Sequence, residues 1–335
     1  ERGAEGWSWE ECLPYFKKVE RDLDFDDEFH GQEGRIPVRR IFSDQWPSYV
    51  KGIAAALEEQ GAEYIADQNG EFRDGYFPVT MSNLYDRRVS AAIGYLDPQT
   101  RSRENLRIES EIQVKEILFE GTKAVGVIAV QHGQEHTFKA NEVILCSGAI
   151  HSPAMLLRSG IGPVGHLHDM GIEVRLERAG VGQNLMEHAA AAMSAWMQPD
   201  ARLNDLTRRH IHLGWRYSSN MHHAPAGDMF AAVVAKSAWH AVGDRLGSML
   251  AWVNKTYSTG QLTLTSSDWR VEPTVEFNML SDARDLDRLM DGYRRVVDVF
   301  MSSAVQAVTK DAFPSAYSER VRKVGTVTTR NKILT

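Results

Sequence analysis

The chain opens on a helical pattern. Ser8-Trp9-Glu10-Glu11 reads as a capping box, in which the Ser8 and Glu11 side chains satisfy each other's backbone N–H groups. The helix it starts runs through Tyr15, Phe16 and Val19. Residues Asp22 to Gly34 are acidic and rich in turn formers, which predicts an exposed excursion. Pro47 stands where a first helical turn would begin. Val50, Ile53, Ala54 and Leu57 then share one helical face, and Gly61 ends that helix.

The period changes from 3.6 to 2 after residue 104. Leu106, Ile108, Ile112 and Val114 fall at even spacing. Glu120-Gly121-Thr122 and His132-Gly133-Gln134 are turns, with Ala124 to Val130 between them and His136-Thr137-Phe138 after them. This predicts a three-strand antiparallel meander. Glu142 to Ser147 is nearly all apolar, as in a strand covered on both faces, and makes Cys146 a small core residue. Past residue 190 the strand candidates are Phe230 to Val234, Met249 to Val253, Leu262 to Thr265 and Val275 to Phe277, with Thr259-Gly260 as a hairpin turn. Asp282 caps a long helix whose expected buried face is Leu286, Leu289, Met290, Tyr293, Val297 and Phe300.

One segment combines a strand, a glycine turn and a helix. The strand ends at Ser147, and Gly148 permits a tight turn. Ser152 suits an N-cap, Pro153 the first helical position, and Gly160 the stop after Ala154 to Ser159. A helix N-terminus at the carboxyl end of a strand is where nucleotides bind in α/β sheets. Gly160-Ile161-Gly162-Pro163-Val164-Gly165 fits G-x-G-x-x-G but follows a helix, and Pro163 lacks a backbone donor, so it is not a dinucleotide fingerprint.

Length and composition narrow the classes. The 335 residues suggest about two domains, and 43% hydrophobic content is ordinary for a globular protein. A net charge of -7 and a pI near 6.0 give no nucleic-acid footprint. No apolar run is long enough for a membrane span. The two cysteines, Cys12 and Cys146, supply neither a disulfide framework nor a metal spacing. His166/His168 and His210/His212 are spaced so that a helix would point each pair apart, and His222-His223 sits in a loop; no metal site is expected. Glu1 is not a start methionine and Lys332 to Thr335 closes no element, so further chain is expected on both sides. There is no signal peptide to read, and the compartment is left open with the cytoplasm favoured.

Gly148 to Gly162 resembles the second signature of the glucose–methanol–choline (GMC) oxidoreductases at every defined position. Further segments resemble the same family in the same order: Gly6-Trp7-Ser8-Trp9 through Pro14-Tyr15-Phe16, His30-Gly31 with Gly34, Val181-Gly182-Gln183-Asn184-Leu185 with His188, and Ser258 to Leu262. Glu187 replaces the family's usual Asp. The resemblance implies FAD, and a mixed α/β fold: part of a Rossmann-like FAD-binding domain joined to an antiparallel-sheet substrate domain. It divides the chain into a lid or extended connection at 1–45, a substrate-domain segment at 46–103, an FAD-domain segment at 104–190 and a substrate-binding domain at 191–335.

Carried over by position, Val114 matches the valine whose backbone meets the adenine. Ser147 and Gly148 match positions beside the adenosine half, and Asn184 and His188 an element near the surface of the flavin domain. Val114 is equally readable as a buried strand valine, Asn184 as a helix cap after Gly182, and His188 as a helix-terminal histidine. Ser82 to Tyr85 and Arg88 to Ala91 resemble the bacterial branch with hydroxymethylfurfural-type and aryl-alcohol oxidases. There an aromatic residue on the strand of Trp252 faces the substrate; core packing is the alternative. The implied activity is oxidation of a primary alcohol, aromatic or furanic among the candidates, to an aldehyde, with oxygen or another electron acceptor. The family's catalytic histidine and its His or Asn partner follow the long helix, and no histidine follows Asp282. The base is therefore expected outside the chain, and this chain alone is expected to be inactive. A truncated or degenerate non-catalytic homologue and a hydroxynitrile lyase-like relative are the alternatives.

Overall fold

The computed structural model describes residues 4–85, 87–204, 209–238 and 240–315, so both chain ends read above lie outside the described residues. The fold is mixed α/β with mainly antiparallel sheets, and its residues group into two units. One holds residues up to Leu106, Ala190–Lys255 and the chain from Asp287; the other holds Arg107–Ala189 and Thr256–Leu286.

The first unit is built on six antiparallel strands. Their spatial order is Thr309–Pro314, Ala190–Met197, Leu246–Val253, Met229–Val234, Ile211–Tyr217 and Gly75–Pro78. Side chains alternate across a strand, so the odd-numbered positions of the four middle strands form one face. Met193, Ala195, Met229, Ala231, Val233, Met249, Ala251 and Val253 are accordingly buried. Helices Ser48–Glu59 and Ala283–Met301 pack on this face. A Cβ on Gly247 would sit 2.5 Å from the Tyr49 ring, and one on Gly292 would sit 2.7 Å from the Tyr217 hydroxyl, so both glycines let a helix approach the sheet closely. Helix Ser48–Glu59 buries Val50, Ile53, Ala54 and Leu57 as its period predicted.

The long helix departs from expectation. Leu289 and Phe300 are buried, but Leu286 and Met290 are 42% and 44% exposed. Buried instead are Asp285, Arg288, Gly292, Val296 and Val299. The apolar count misplaced the face because two buried positions are charged. Arg288 donates to Asp228 at 3.1 Å, and Asp285 accepts the backbone N–H groups of Tyr257 and Ser258 at 3.0 and 2.7 Å.

The second unit contains the expected meander, Ile112–Glu120, Lys123–Gln131 and Gln134–Lys139. Leu106 and Ile108 precede its first strand rather than belong to it. Helix Gly148–Arg158 packs Ala154 and Leu157 against Leu167, Leu262 and Leu264. Its Ser159 cap accepts the Ile117 N–H at 3.0 Å, which ties the helix to the meander.

Three local expectations fail here. The helix begins at Gly148, so Pro153 lies inside it, and Ser152 Oγ accepts the Ser147 N–H at 3.1 Å from within the first turns. Glu142 to Ser147 forms no ladder with any described residue, Ile144 is 76% exposed, and Cys146 is exposed. A strand covered on both faces needs neighbours, and the described residues supply none. Thr259-Gly260 is not a hairpin turn: Gly260–Thr263 lies between Gln183–Leu185 and Thr274–Glu276, in a different sheet from Leu246–Val253.

Candidate functional site

In the second unit the candidate nucleotide residues lie on irregular backbone. Val114 is half-buried opposite Ala129, and the register shifts between it and Glu116, which marks a bulge in the strand. Gly148 has φ +79°, and a Cβ there would meet nothing within 4 Å. Its turn, rather than crowding, demands glycine. Ser147, Gly148 and Ala149 are exposed at the start of an eleven-residue helix whose first turn carries no acid. That end offers free N–H groups and the positive pole of the helix.

Asn184 has φ +57°, at an irregularity between Gln183 and Leu185. It is in a strand, so the helix-cap reading fails. No helix ends at His188 either; it is exposed, and its backbone N–H donates to Glu187 Oε1 at 2.7 Å. The Asn184 segment reaches helix Gly148–Arg158 through its neighbouring strand, whose Leu262 packs with Ala154 and Leu157.

Trp252 lies in the first unit, on the even-numbered face of the six-stranded sheet. Arg216, Phe230, Trp252 and Ala190 are successive cross-strand partners and so form one row on that face. Phe230 and Trp252 are half-buried and stacked, 4.8 Å between centroids at 27°. Phe77 extends the aromatic strip, 5.7 Å from Phe230. Sequence reading singled out Trp252 but missed Phe230 and Arg216. Their register across strands, which no single segment carries, is what joins them.

A second cluster in the same unit lies in the excursion that was expected to be exposed. Asp22, His30 and Arg40 are buried at 3%, 2% and 1% exposure. His30 Nδ1 meets Glu20 Oε1 at 2.9 Å and Asp22 Oδ2 at 3.1 Å, and its Nε2 meets Asp67 Oδ2 at 2.8 Å. Carboxylates at both ring nitrogens favour the imidazolium, which donates at both ends. Arg40 spans Asp22 and Asp67 and lies under Phe25, which also stacks on His30. Asp24 and Asp27 complete the surround at 3.7 and 3.9 Å. Glu20, Asp22 and His30 bring ligand atoms within 4.8 Å of one another, yet Arg40 occupies both Asp22 oxygens at 3.0 and 2.9 Å. The cluster is a clamp between the arm of residues 20–40 and Asp67.

This clamp has a pH signature. Burial works to lower the His30 pKa, but the hydrogen bonds to Glu20 and Asp67 outweigh it, and the net value is raised from 6.5. For Asp67, burial works upward, while the Asn69 N–H, Arg40 and His30 outweigh it and leave the pKa below 3.8. A raised histidine contributes stability fully below its unfolded value and loses it as pH climbs through the folded value; a lowered carboxylate loses its share as pH falls through the folded value. The stability advantage of wild type over His30→Gln should therefore be largest between 3.8 and 6.5 and shrink on both sides. Denaturant unfolding across pH measures it. A constant gap would sink the idea.

Comparisons with known proteins decide the family. The N-terminal GMC oxidoreductase family model matches residues 1–190, and the C-terminal one residues 256–331. The chain belongs to the GMC oxidoreductase family. It is 42% identical over 308 residues to 5-(hydroxymethyl)furfural oxidase of Methylovorus sp. (strain MP688), covering 90% of this chain and 57% of that protein. It is 32% identical over 337 residues to the oxygen-dependent choline dehydrogenase of Paraburkholderia phymatum, covering 91% and 57%. Formate oxidase of Aspergillus oryzae RIB40, in a structure concerned with its FAD modification, superposes with a TM-score of 0.79 at 20% identity, covering 92% of this chain and 63% of that one. This GMC chain thus spans a little under three fifths of those two curated relatives. FAD is the family's cofactor, as the Gly148–Gly162 signature implied. Among the described residues no helix is long and apolar enough to cross a membrane.

Proposed function

We propose that the protein oxidises a primary aromatic or furanic alcohol to its aldehyde. The observation that carries this reading is the Phe230–Trp252 stack, half-buried on the sheet face opposite helices Ser48–Glu59 and Ala283–Met301. Such a pair offers a ring-sized apolar platform, and offset stacking favours a flat substrate. The similarity to a 5-(hydroxymethyl)furfural oxidase supports the same substrate class.

The residues of the second unit fit the adenosine end of FAD. The exposed, acid-free helix N-terminus at Ser147 and Gly148 suits a phosphate, and the bulge between Val114 and Glu116 interrupts the strand ladder at the position matched to the adenine. Asn184 and His188 would hold the neighbouring surface. Bound FAD supplies a two-electron acceptor for the hydride of the carbinol carbon. Phe230 and Trp252 orient the ring and exclude water from one side of it. None of the four residues in their row is a base, and no described histidine is assigned that role. Molecular oxygen or another acceptor takes the electrons onward.

The full-length protein should show visible flavin absorbance that bleaches when benzyl alcohol or a hydroxymethylfuran is added without oxygen. A colourless protein indifferent to added FAD would overturn the reading. Cleavage of mandelonitrile without bleaching would assign lyase chemistry instead. Trp252→Ala should lower kcat/KM for aromatic alcohols about tenfold or more, chiefly through KM, because an aromatic contact is worth about 1 kcal/mol beyond its buried area. Short aliphatic alcohols should be affected less.

A further inference from the structure

The first unit buries three arginines among its described residues: Arg40, Arg216 and Arg288. Arg40 is held by Asp22 at 2.9 Å, and Arg288 by Asp228 at 3.1 Å. Arg216, 6% exposed, has no carboxylate within 4.0 Å among the described residues. Its Nε donates to the Arg73 carbonyl at 3.0 Å and its Nη1 to the Gln68 carbonyl at 3.4 Å, while Nη2 is buried with no acceptor. Buried arginines are almost always paired, because an uncompensated guanidinium out of water is costly. Burial holds the Arg216 pKa below its usual value, against the opposite pull of Asp74 and Asp67.

Arg216 also forms part of the wall of a cavity of about 730 Å³. That is within the size range of small-molecule sites. The other walls include the rings of Trp9, Phe16, Phe29 and Phe72, and the carboxylates of Glu20 and Glu71. Those two acids do not serve Arg216. Glu20 is engaged by His30 at 2.9 Å, and the Glu71 side chain is 80% exposed beside Arg73. The cavity therefore combines apolar rings with one buried cation that lacks a counter-ion. Phe72 lies across the guanidinium at 4.3 Å and is 59% exposed. A ligand reaches Nη2 by displacing the Phe72 ring, an exposed loop side chain that also lies 5.0 Å from Lys255 Nζ.

We propose that this cavity is a binding site for an aromatic carboxylate, with the ring among Trp9, Phe16 and Phe29 and the carboxylate on the Arg216 guanidinium. A carboxylate meets the Arg fork with two hydrogen bonds and supplies the missing charge. Arg216 also neighbours Phe230 in the cross-strand row of the platform, but neither Phe230 nor Trp252 lines this cavity, and its carboxylate preference is read without any alcohol oxidation.

Calorimetric titration of the full-length protein, with no alcohol present, tests it. Benzoate should bind at least about tenfold more tightly than methyl benzoate, since a charge-assisted hydrogen bond is worth more than about 1.4 kcal/mol. Arg216→Met should abolish that preference, and Arg216→Lys should keep part of it. The wild-type comparison needs no variant to fold. Equal affinity for acid and ester in the wild type would overturn the proposal. So would a folded Arg216→Met protein that keeps the preference, or tight binding of benzyltrimethylammonium in place of benzoate.

Discussion

Replacing Asp228 by alanine should cost about 3–5 kcal/mol of unfolding free energy, the usual range for breaking a buried ion pair from one side. Asp228 is 0% exposed, and its carboxylate accepts the Ser219 N–H at 2.7 Å, the Ser219 hydroxyl at 2.8 Å and Arg288 Nη1 at 3.1 Å. Its own carbonyl accepts the Asn254 N–H at 2.8 Å, so the residue joins the ends of two adjacent strands to the long helix. Alanine removes three hydrogen bonds and takes this carboxylate from Arg288, itself 1% exposed. Asp228→Asn keeps an acceptor for Ser219 but no charge, and should cost less. Combining Asp228→Ala with Arg288→Met should cost less than the sum of the two single changes, because the two residues share one interaction. Urea denaturation followed by tryptophan fluorescence reads wild type and all four variants. A loss under about 1 kcal/mol for Asp228→Ala would mean that solvent reaches Arg288 easily.

Gly260→Ala should be the most damaging single methyl in the second unit. The added Cβ would lie 1.8 Å from the Glu276 carbonyl oxygen and 2.7 Å from the Phe277 carbonyl carbon. Both are backbone atoms, so no side chain can give way. Gly260 opens the middle strand of a three-stranded sheet, and relief requires opening the ladder to Thr274–Glu276. That strand carries Leu262 into the core with Leu157 and Leu167. Overpacking typically costs about 1–3 kcal/mol, and a rigid backbone contact belongs at or above the top of that range. A loss of about 3 kcal/mol lowers Tm by roughly 6–12 °C in a domain of this size. Gly148→Ala is the control: its space is open, and only the positive φ opposes it, at about 1–2 kcal/mol. Equal melting temperatures for the two variants would refute the steric account.

What the sequence determined by itself is what short stretches of chain decide through their own backbone and period. The Ser8–Glu11 capping box formed because both partners lie within one turn. Val50, Ile53 and Leu57 found the core because a helix of that period has one apolar stripe. The meander followed from alternation and two glycine turns, Gly160 ended its helix at φ +82°, and the ordered motifs around Gly148 to Gly162 identified the family. Tertiary structure decided whatever depended on a distant partner. Glu142 to Ser147 has the composition of a covered strand, yet pairing and cover come from other strands, and without them it forms no ladder and is largely exposed. Asp22 and His30 look like surface residues until Arg40 and Asp67 neutralise them, and Asp285 and Arg288 take the buried face of the long helix for the same reason. The candidate site belongs to this second kind. Trp252 could be named from its strand, but its place beside Phe230 and Arg216 depends on the register of three strands, which fixes every side chain's face at once.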